Sequence, residues 1–170
     1  VDGGAHVGTW SRLMSEKFQR VIAVEPSLDT FACLTCNMQT FGCANVECRN
    51  LALGRQRGLV SMALDGKEVL RANTGARYVR DGGVIPCEPI DDWNLPALGF
   101  LKLDVEGSEL QALAGALETL QRCRPIVLFE AKGFGKKRYG EVIRAVPNFL
   151  TTMGYRQLDA ISRDEIWGPR

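Results

Sequence analysis

Short apolar runs that end in an acid recur along this chain, and helix-like patterns separate them. The acids that close these runs are Asp2, Glu25, Asp104 and Glu130. Alternation of strands with helices predicts an α/β fold with an open, mostly parallel sheet that carries helices on both faces. In sheets of this kind, ligands bind beyond the carboxyl ends of the strands. We therefore expect the four acids to gather along one edge, as part of a binding site.

The spacing of apolar residues predicts the remaining elements. Helical periodicity predicts helices that begin near Thr9 and that cover 31–41, 110–120 and 142–153, the last with a kink or break at Pro147. Apolar or alternating runs predict strands over 20–25, 45–52, 59–64, 84–89, 100–104, 125–130 and 155–161. The Gly- and Arg-rich stretch 71–83 is expected to be flexible.

The length of 170 residues predicts one domain over residues 1–170. Because the sequence begins at the last residue of a predicted strand, we expect that this domain is truncated at its N-terminus. The chain is 45% hydrophobic and 24% charged, as is typical of soluble globular proteins. Its net charge of +1 lacks the basic footprint of nucleic-acid binders. No apolar run approaches the roughly 18 residues that a membrane span needs.

Six cysteines stand at positions 33, 36, 43, 48, 87 and 123. Cys33-x-x-Cys36 admits a zinc interpretation, with Cys43 and Cys48 as further ligands, but these two straddle a predicted helix, turn and strand. The sole histidine, His6, is far away in sequence. We favour buried free thiols over a zinc site. Reduced thiols fit a cytoplasmic protein.

The glycine-rich segment from Asp2 to Gly8 predicts a turn whose backbone approaches a ligand closely. Glu25, at the end of the next strand, is placed to accept hydrogen bonds from both hydroxyls of a ribose. Gly3-x-Ala5-x-x-Gly8 loosely fits a dinucleotide fingerprint, but the carboxylate of Asp2 would repel phosphates. S-adenosylmethionine carries a positive sulfur and an ammonium group and no phosphate, so Asp2 favours it over NAD.

Several motifs occur in the order and form of the FkbM-type methyltransferase family, which the chain resembles from residue 1 to about residue 131. They are Asp2-x-Gly4-Ala5-x-Val7-Gly8, Glu25-Pro26, Asn37, Asn45-Val46, Ala52-Leu53-Gly54, Ile90-Asp91-Asp92, Lys102-x-Asp104-x-Glu106-Gly107-x-Glu109 and Arg124-Pro125-Ile126 with Glu130. The Lys-x-Asp-x-Glu-Gly-x-Glu segment is the most specific of them. Two departures stand out: His6 occupies a position where the family often has Asn, and the region beyond residue 131 is less recognisable.

The resemblance implies a class I methyltransferase fold, a Rossmann-like three-layer sandwich, and dependence on S-adenosyl-L-methionine. It implies O-methylation of hydroxyls on sugars, polyketides and other metabolites, with the segment from Asp104 to Glu109 as the floor of the active site. The turn after the third strand, Asn50-Leu51-Ala52, lies where such folds flank the adenine of the cofactor. The residues expected to bind the cofactor are Asp2, Gly4, Ala5, Gly8, Glu25, Pro26, Asn50, Leu51 and Asp104.

The candidate catalytic residues are Asp104, Glu106 and His6. Transfer to an alcohol requires loss of its proton, and Asp104 is our first candidate base, with Glu106 second. For His6 we prefer a structural loop role over proton transfer. For Glu109 we prefer stabilisation of the helix dipole. No metal site is expected, although Asp104 and Glu106 carry oxygen ligands suited to Mg²⁺.

Other polar and aromatic groups receive structural interpretations. Asp91 and Asp92 are expected to cap a helix that begins before Trp93. The basic residues Lys132, Lys136, Lys137 and Arg138 are expected to form a solvated loop, with an arm for acidic or phosphate-bearing substrates as the alternative. The aromatic residues Tyr78, Trp93 and Trp167 are expected to pack in the interior.

Together with these residues, the resemblance implies an S-adenosylmethionine-dependent O-methyltransferase that acts on a small molecule or glycan. The first alternative is a methyltransferase for RNA or protein, which the basic residues after Glu130 favour and the near-neutral charge disfavours. A non-catalytic domain that binds S-adenosylmethionine is disfavoured by the intact Gly4, Gly8 and Glu25. A nicotinamide-dependent oxidoreductase is disfavoured by Asp2.

Overall fold

A computed structural model describes residues 1–64, 77–131, 134–142 and 144–170 of the chain. The chain divides into two compact units. The N-terminal unit comprises Val1–Ala52 and Gly58–Cys87, and the C-terminal unit comprises Leu53–Arg57 and Glu88–Arg170. Each unit contributes parallel strands followed by helices, and the predicted mixed α/β class with mostly parallel main strands is confirmed.

The main strands of the N-terminal unit are parallel and lie in the order β1-β2-β3. They are β1 (Asp2–Gly3), β2 (Val21–Val24) and β3 (Val46–Arg49). Every residue of β2 is buried, which explains its continuous apolar sequence, since a strand between parallel neighbours is covered on both faces. Helix α1 (Thr9–Ser15) connects β1 to β2, and it begins at the predicted residue.

Helix α2 (Leu28–Thr40) connects β2 to β3 and covers part of the apolar core. Leu34 and Met38 pack with Ala5 and Ala23 in one cluster. The predicted helical face is therefore confirmed at Leu34 and Met38. Phe41 comes directly after the last helical residue and is 51% exposed, so the predicted face ends before it.

The N-terminal unit also contains antiparallel strands. Strand β5 (Gly58–Ala63) pairs with β6 (Tyr78–Asp81) and with β7 (Ile85–Glu88), and β4 (Ala52–Leu53) precedes them. The strands predicted over 59–64 and 84–89 are confirmed. Residues 78–81 of the stretch expected to be flexible form strand β6 instead, and Val79 packs against buried Val60. Residues 71–76 of that stretch lie outside the described part of the chain.

The C-terminal unit has the strand order β8-β9-β11-β10. Strands β8 (Phe100–Leu103) and β9 (Ile126–Glu130) are parallel, whereas β11 (Asp164–Pro169) runs antiparallel to β9 and to β10 (Tyr155–Ile161). The bounds of β10 match the prediction. Strand β11 was not predicted from the sequence. It follows β10 after a tight turn in which Ser162 is left-handed.

The helices of the C-terminal unit are a 3₁₀ helix (Ile90–Trp93), α3 (Glu109–Ala114), α4 (Leu117–Cys123), α5 (Phe134–Tyr139) and α6 (Ala145–Thr152). A single helix over 110–120 was predicted, and this prediction is wrong because α3 ends before Gly115. A Cβ at Gly115 would lie 2.0 Å from the carbonyl oxygen of Gly54. The carbonyl of Gly115 accepts the N–H of Asp91 at 2.9 Å. A close backbone approach therefore interrupts the helix, although the apolar periodicity continues across the break.

Helix α6 begins later than predicted, at Ala145, and Pro147 lies in its first turn. A proline is tolerated there because the first helical N–H groups have no intrahelical acceptor. Val142 lies before the helix and is exposed, so it does not belong to the predicted apolar face. Ile143 lies outside the described residues.

The six cysteines are free thiols. Cys87 is buried as expected, but Cys33 and Cys36 on α2 are exposed, so the expectation of buried thiols is wrong for these two. Cys43, Cys48 and Cys123 are partly buried. None of the helices in the described part of the chain has both the length and the apolar character that a membrane span requires.

Candidate active site

The glycine-rich turn follows β1 and is fixed to β2. The N–H groups of Gly4 and Ala5 both donate to the carbonyl of Val24, at 3.0 and 2.9 Å. Gly8 has a φ of 94°, and a Cβ there would lie 2.6 Å from Cε of Met38. Gly8 is thus required both by its left-handed conformation and by the packing of the turn on α2.

His6 lies in this turn with a φ of 52°. Its backbone N–H donates to Oε2 of Glu25 at 2.9 Å. Asn, Asp and His are the non-glycine residues most often found in the left-handed region, so a histidine suits this position. The backbone of His6 thus helps to orient the Glu25 carboxylate.

Glu25 lies directly after β2 and is buried. Its Oε1 accepts the N–H of Ser27 at 2.9 Å, while Oε2 accepts that of His6. Burial raises the pKa of Glu25, and the two N–H donors and the nearby charges of His6 and Arg77 oppose this rise. The carboxylate is therefore held in one orientation at the end of a buried strand.

Two asparagine side chains fasten the turns of the N-terminal unit. Nδ2 of Asn50 donates to the carbonyls of Glu25 and Pro26, at 2.9 and 3.2 Å. Nδ2 of Asn37, on α2, donates to the carbonyl of Val7 at 2.8 Å. The amide of Asn50 is thus committed to the backbone of the Glu25 turn, and Leu51, which follows it, is buried.

Asp2 is completely buried on β1. It lies opposite Ala23 of β2, and its Oδ2 accepts the hydroxyl of Ser11, in α1, at 2.6 Å. Asp2 and Glu25 thus come from the carboxyl ends of adjacent parallel strands. Two buried acids beside a glycine-rich turn favour a cationic ligand over a phosphate.

In the C-terminal unit, a second group of acids lies in and beside the loop between β8 and α3. This loop, residues 104–108, is called the acid loop below. Asp104, Glu106 and Glu130 each offer a carboxylate oxygen, and these oxygens lie within 4.8 Å of one another. Asp104 follows β8 and Glu130 ends β9, so the predicted meeting of these two strand-end acids is confirmed.

Glu106 is buried and has a φ of 55°, an unusual conformation for a glutamate. Arg138, on α5, donates to the carbonyl oxygen of Glu106 and lies 3.4 Å from its carboxylate. The Arg138 side chain is only 3% exposed. The predicted solvated loop is therefore wrong at Arg138, which lies in a helix and is buried against the acid loop. Lys132 and the side chains of Lys136 and Lys137 lie outside the described part.

Glu109 lies in the first turn of α3 and is buried. Its Oε1 accepts the N–H groups of Gly107 and Val105, at 3.0 and 3.3 Å. Burial raises the pKa of Glu109 from 4.5 to about 7, with a further contribution from Asp104, and the N–H donors oppose the rise. Glu109 therefore lies near the helix N-terminus, and it also stabilises the backbone of the acid loop through these two hydrogen bonds.

The family model described as Methyltransferase FkbM domain matches residues 2–157. The chain belongs to the FkbM methyltransferase family. The crystal structure of methyltransferase FkbM from Methylobacillus flagellatus KT matches 98% of this chain with a TM-score of 0.66 at 19% sequence identity. This chain covers 41% of that protein.

A second solved structure, the precorrin 8W decarboxylase of Methanobacterium thermoautotrophicum, has a TM-score of 0.54 at 13% identity. The match covers 99% of this chain and 80% of that protein. At such identities the similarity shows the fold, and the predicted class I methyltransferase fold is confirmed. No similar sequence was found among curated proteins.

The acid loop of this FkbM-family chain has the oxygen ligands that Mg²⁺ prefers. The guanidinium of Arg138 lies beside Glu106 and supplies a positive charge that partly offsets the negative charge of these acids.

Among the described residues, no cysteine joins a cluster with three or more potential metal ligands. The zinc alternative for Cys33 and Cys36 thus gains no support from their surroundings.

The structural interpretation of Asp91 is confirmed, but the capped helix is a different one. Its carboxylate accepts the N–H groups of Glu118 and Thr119, at 3.0 and 2.8 Å, at the start of α4. Asp92 instead pairs with Arg57.

The aromatic residues behave largely as predicted. Trp167 is buried. Trp93 is partly buried and donates to a carboxylate oxygen of Glu88 at 2.9 Å. Tyr78 is partly buried on β6.

From the sequence, Arg77 is assigned no role, and Arg138 is assigned one only in the alternative of a basic arm for substrates. Arg77 contacts Ser27 and Asp29 beside Glu25, and Arg138 contacts Glu106. A lone arginine just before a strand, or within a short basic helix, looks solvated in sequence. Only the folded chain brings each arginine to its acid.

Proposed function

We propose that this chain binds S-adenosylmethionine and transfers its methyl group to a hydroxyl of a sugar or small metabolite. The observation that carries the proposal is the pair of buried acids, Asp2 and Glu25, beside the glycine-rich turn of the N-terminal unit. The family supports methyl transfer, and the acids support the choice of a cationic cofactor.

The residues of the N-terminal unit fit this cofactor in charge and in hydrogen bonding. Glu25 has each carboxylate oxygen oriented by one backbone N–H, which leaves lone pairs for the two hydroxyls of a ribose. Asp2 provides negative charge for the methionine ammonium and sulfonium. The glycines admit the ligand to the backbone of the turn. When bound, S-adenosylmethionine supplies an electrophilic methyl group.

The acid loop of the C-terminal unit supplies candidates for the base. Asp104 is half-buried at the end of β8. Glu106 is paired with Arg138, and Glu109 accepts two N–H groups of the loop, so both are committed to structure. We assign proton removal from the acceptor hydroxyl to Asp104, with Glu106 as the second candidate. Much of the acceleration would come from alignment of the acceptor oxygen for in-line attack.

Calorimetric titration of the intact chain with S-adenosylmethionine, S-adenosylhomocysteine and NAD tests the cofactor. We expect binding of the first two, and a large loss of affinity in Glu25→Ala. Binding of NAD alone would overturn the proposal.

Transfer of labelled methyl from S-adenosylmethionine to panels of sugars, small alcohols, RNA and protein tests the acceptor. We expect label on hydroxyl-bearing small molecules or glycans, and label confined to RNA or protein would refute this choice. Asp104→Asn should reduce turnover far more than it weakens cofactor binding. Asp81→Asn, at an exposed position on β6, is the matched control. Unchanged turnover in Asp104→Asn would remove Asp104 as the base.

A further inference from the structure

The turn that carries Glu25 is held by three separate segments of the N-terminal unit. His6 contacts the carboxylate, and Asn50 contacts the carbonyls of Glu25 and Pro26. The third segment directly precedes β6 and brings Arg77 to the other end of the turn, at Ser27.

Ser27 connects Arg77 to Glu25. Its backbone N–H donates to Oε1 of Glu25 at 2.9 Å, and its hydroxyl donates to Oδ1 of Asp29 at 2.6 Å. Nη1 of Arg77 donates to the same hydroxyl oxygen and to Oδ1 of Asp29, the latter at 2.6 Å. Ser27 is buried, so this link lies inside the protein and not on its surface.

The ion pair of Arg77 with Asp29 does not by itself explain the arrangement. Asp29 is 64% exposed, and exposed ion pairs contribute only about 0–1 kcal/mol to stability. The Arg77 side chain is 24% exposed, and its charge also acts on Glu25. The guanidinium therefore belongs to a partly buried hydrogen-bond network that runs through Ser27 to the Glu25 carboxylate.

We propose that Arg77 is a positioning residue for the cofactor: through Ser27 and through its charge, it holds Glu25 as an oriented carboxylate for the ribose. This inference rests on the proposed binding of S-adenosylmethionine at Glu25. It assigns to the antiparallel strand β6 a part in cofactor binding, although Arg77 itself need not touch the cofactor.

Affinity for S-adenosylhomocysteine, measured by calorimetry on the intact chain near pH 6 and near pH 8, tests the inference. Arg77→Ala is compared with Arg77→Lys, which keeps the positive charge but replaces the planar guanidinium by an ammonium group. The matched control is Arg80→Ala, at an exposed arginine of the adjoining strand β6. Among the described residues, the charges that act on Glu25 come from Arg77 and His6, so the series is repeated in His6→Asn to separate the effect of the histidine side chain.

We expect Arg77→Ala to weaken binding about tenfold near pH 6 and about threefold near pH 8, because loss of a positive neighbour favours the protonated carboxyl. Arg77→Lys, which keeps the positive charge, should remove most of this difference between the two pH values, in either background. Affinity equal to that of Arg80→Ala, or a loss independent of pH, would overturn the inference.

Glu25→Ala separates this inference from the proposed function. If it weakens binding while Arg77→Ala does not, the role of Arg77 fails and the cofactor site stands. If Glu25→Ala leaves the affinity unchanged, the ribose assignment fails, and the inference fails with it. Thermal melting of each variant reports folding, and Arg77→Lys keeps the test decisive if Arg77→Ala does not fold.

Discussion

Replacing Glu109 by glutamine should change how the stability of the protein depends on pH. Burial raises the pKa of Glu109 from 4.5 to about 7 in the folded state. Between these two values the folded protein holds a proton that the unfolded chain has released, so the free energy of unfolding falls as the pH rises through this window. Each pH unit of the difference corresponds to about 1.4 kcal/mol, or about 3 kcal/mol over the whole window.

Glutamine is the appropriate replacement because Oε1 of Glu109 accepts both N–H groups of the loop, at 3.0 and 3.3 Å. The amide keeps that acceptor and never ionises. Glu109→Gln should therefore gain about 2–3 kcal/mol of stability relative to the native chain between pH 5 and pH 8.

Urea denaturation at closely spaced pH values measures this difference. Glu118→Gln, an exposed glutamate in the first turn of α4, is the matched control and should follow the native profile. A difference between Glu109→Gln and the native chain that stays constant from pH 5 to pH 8 would show that the carboxyl is ionised throughout. The argument from burial would then be refuted.

Two further substitutions test the local structure by thermal or urea denaturation. Gly8→Ala places a Cβ 2.6 Å from Cε of Met38 in a left-handed position and should cost about 2–4 kcal/mol, whereas Gly42→Ala, left-handed but with nothing within 4 Å, should cost about 1 kcal/mol. Equal losses would show that crowding at Gly8 is relieved. Asp91→Ala removes the cap of α4 and should cost about 1 kcal/mol, whereas Asp92→Ala should cost under about 0.5 kcal/mol. The reverse order would contradict the capping role.

The features that the sequence predicts well depend on local pattern. The buried strand β2 is a continuous apolar run that ends in Glu25, and burial on both faces dictates that pattern. The glycine-rich turn follows from conformational freedom, which is a property of single residues. The bounds of β10 follow from its flanking Gly154, which has a φ of 73°.

The features that the sequence does not reveal depend on contacts between distant residues. The break at Gly115 arises from the approach of Gly54, and no apolar pattern records it. The periodicity of Leu113, Leu117 and Leu120 continues across the break, so it predicts one helix where two exist.

The candidate site divides in the same way. The identity of Glu25 as a strand-end acid is visible in the sequence, whereas its partners are not. Arg138 was expected in a solvated loop because lysines surround it, but α5 places its side chain against Glu106. A basic stretch records the average exposure of its members and does not show which one is buried.

The Glu25–Ser27 turn takes its partners from widely separated parts of the chain. His6 precedes Glu25 by 19 residues, Asn50 follows it by 25, and Arg77 follows Ser27 by 50. Loop closures of this length cost conformational entropy, and only the hydrogen bonds of the completed turn offset that cost. Since a protein is synthesised from its N-terminus, the turn gains its last contact only after β6 has left the ribosome. A nascent chain that ends before Arg77 would carry Glu25 without its third support, so this turn is completed late in synthesis.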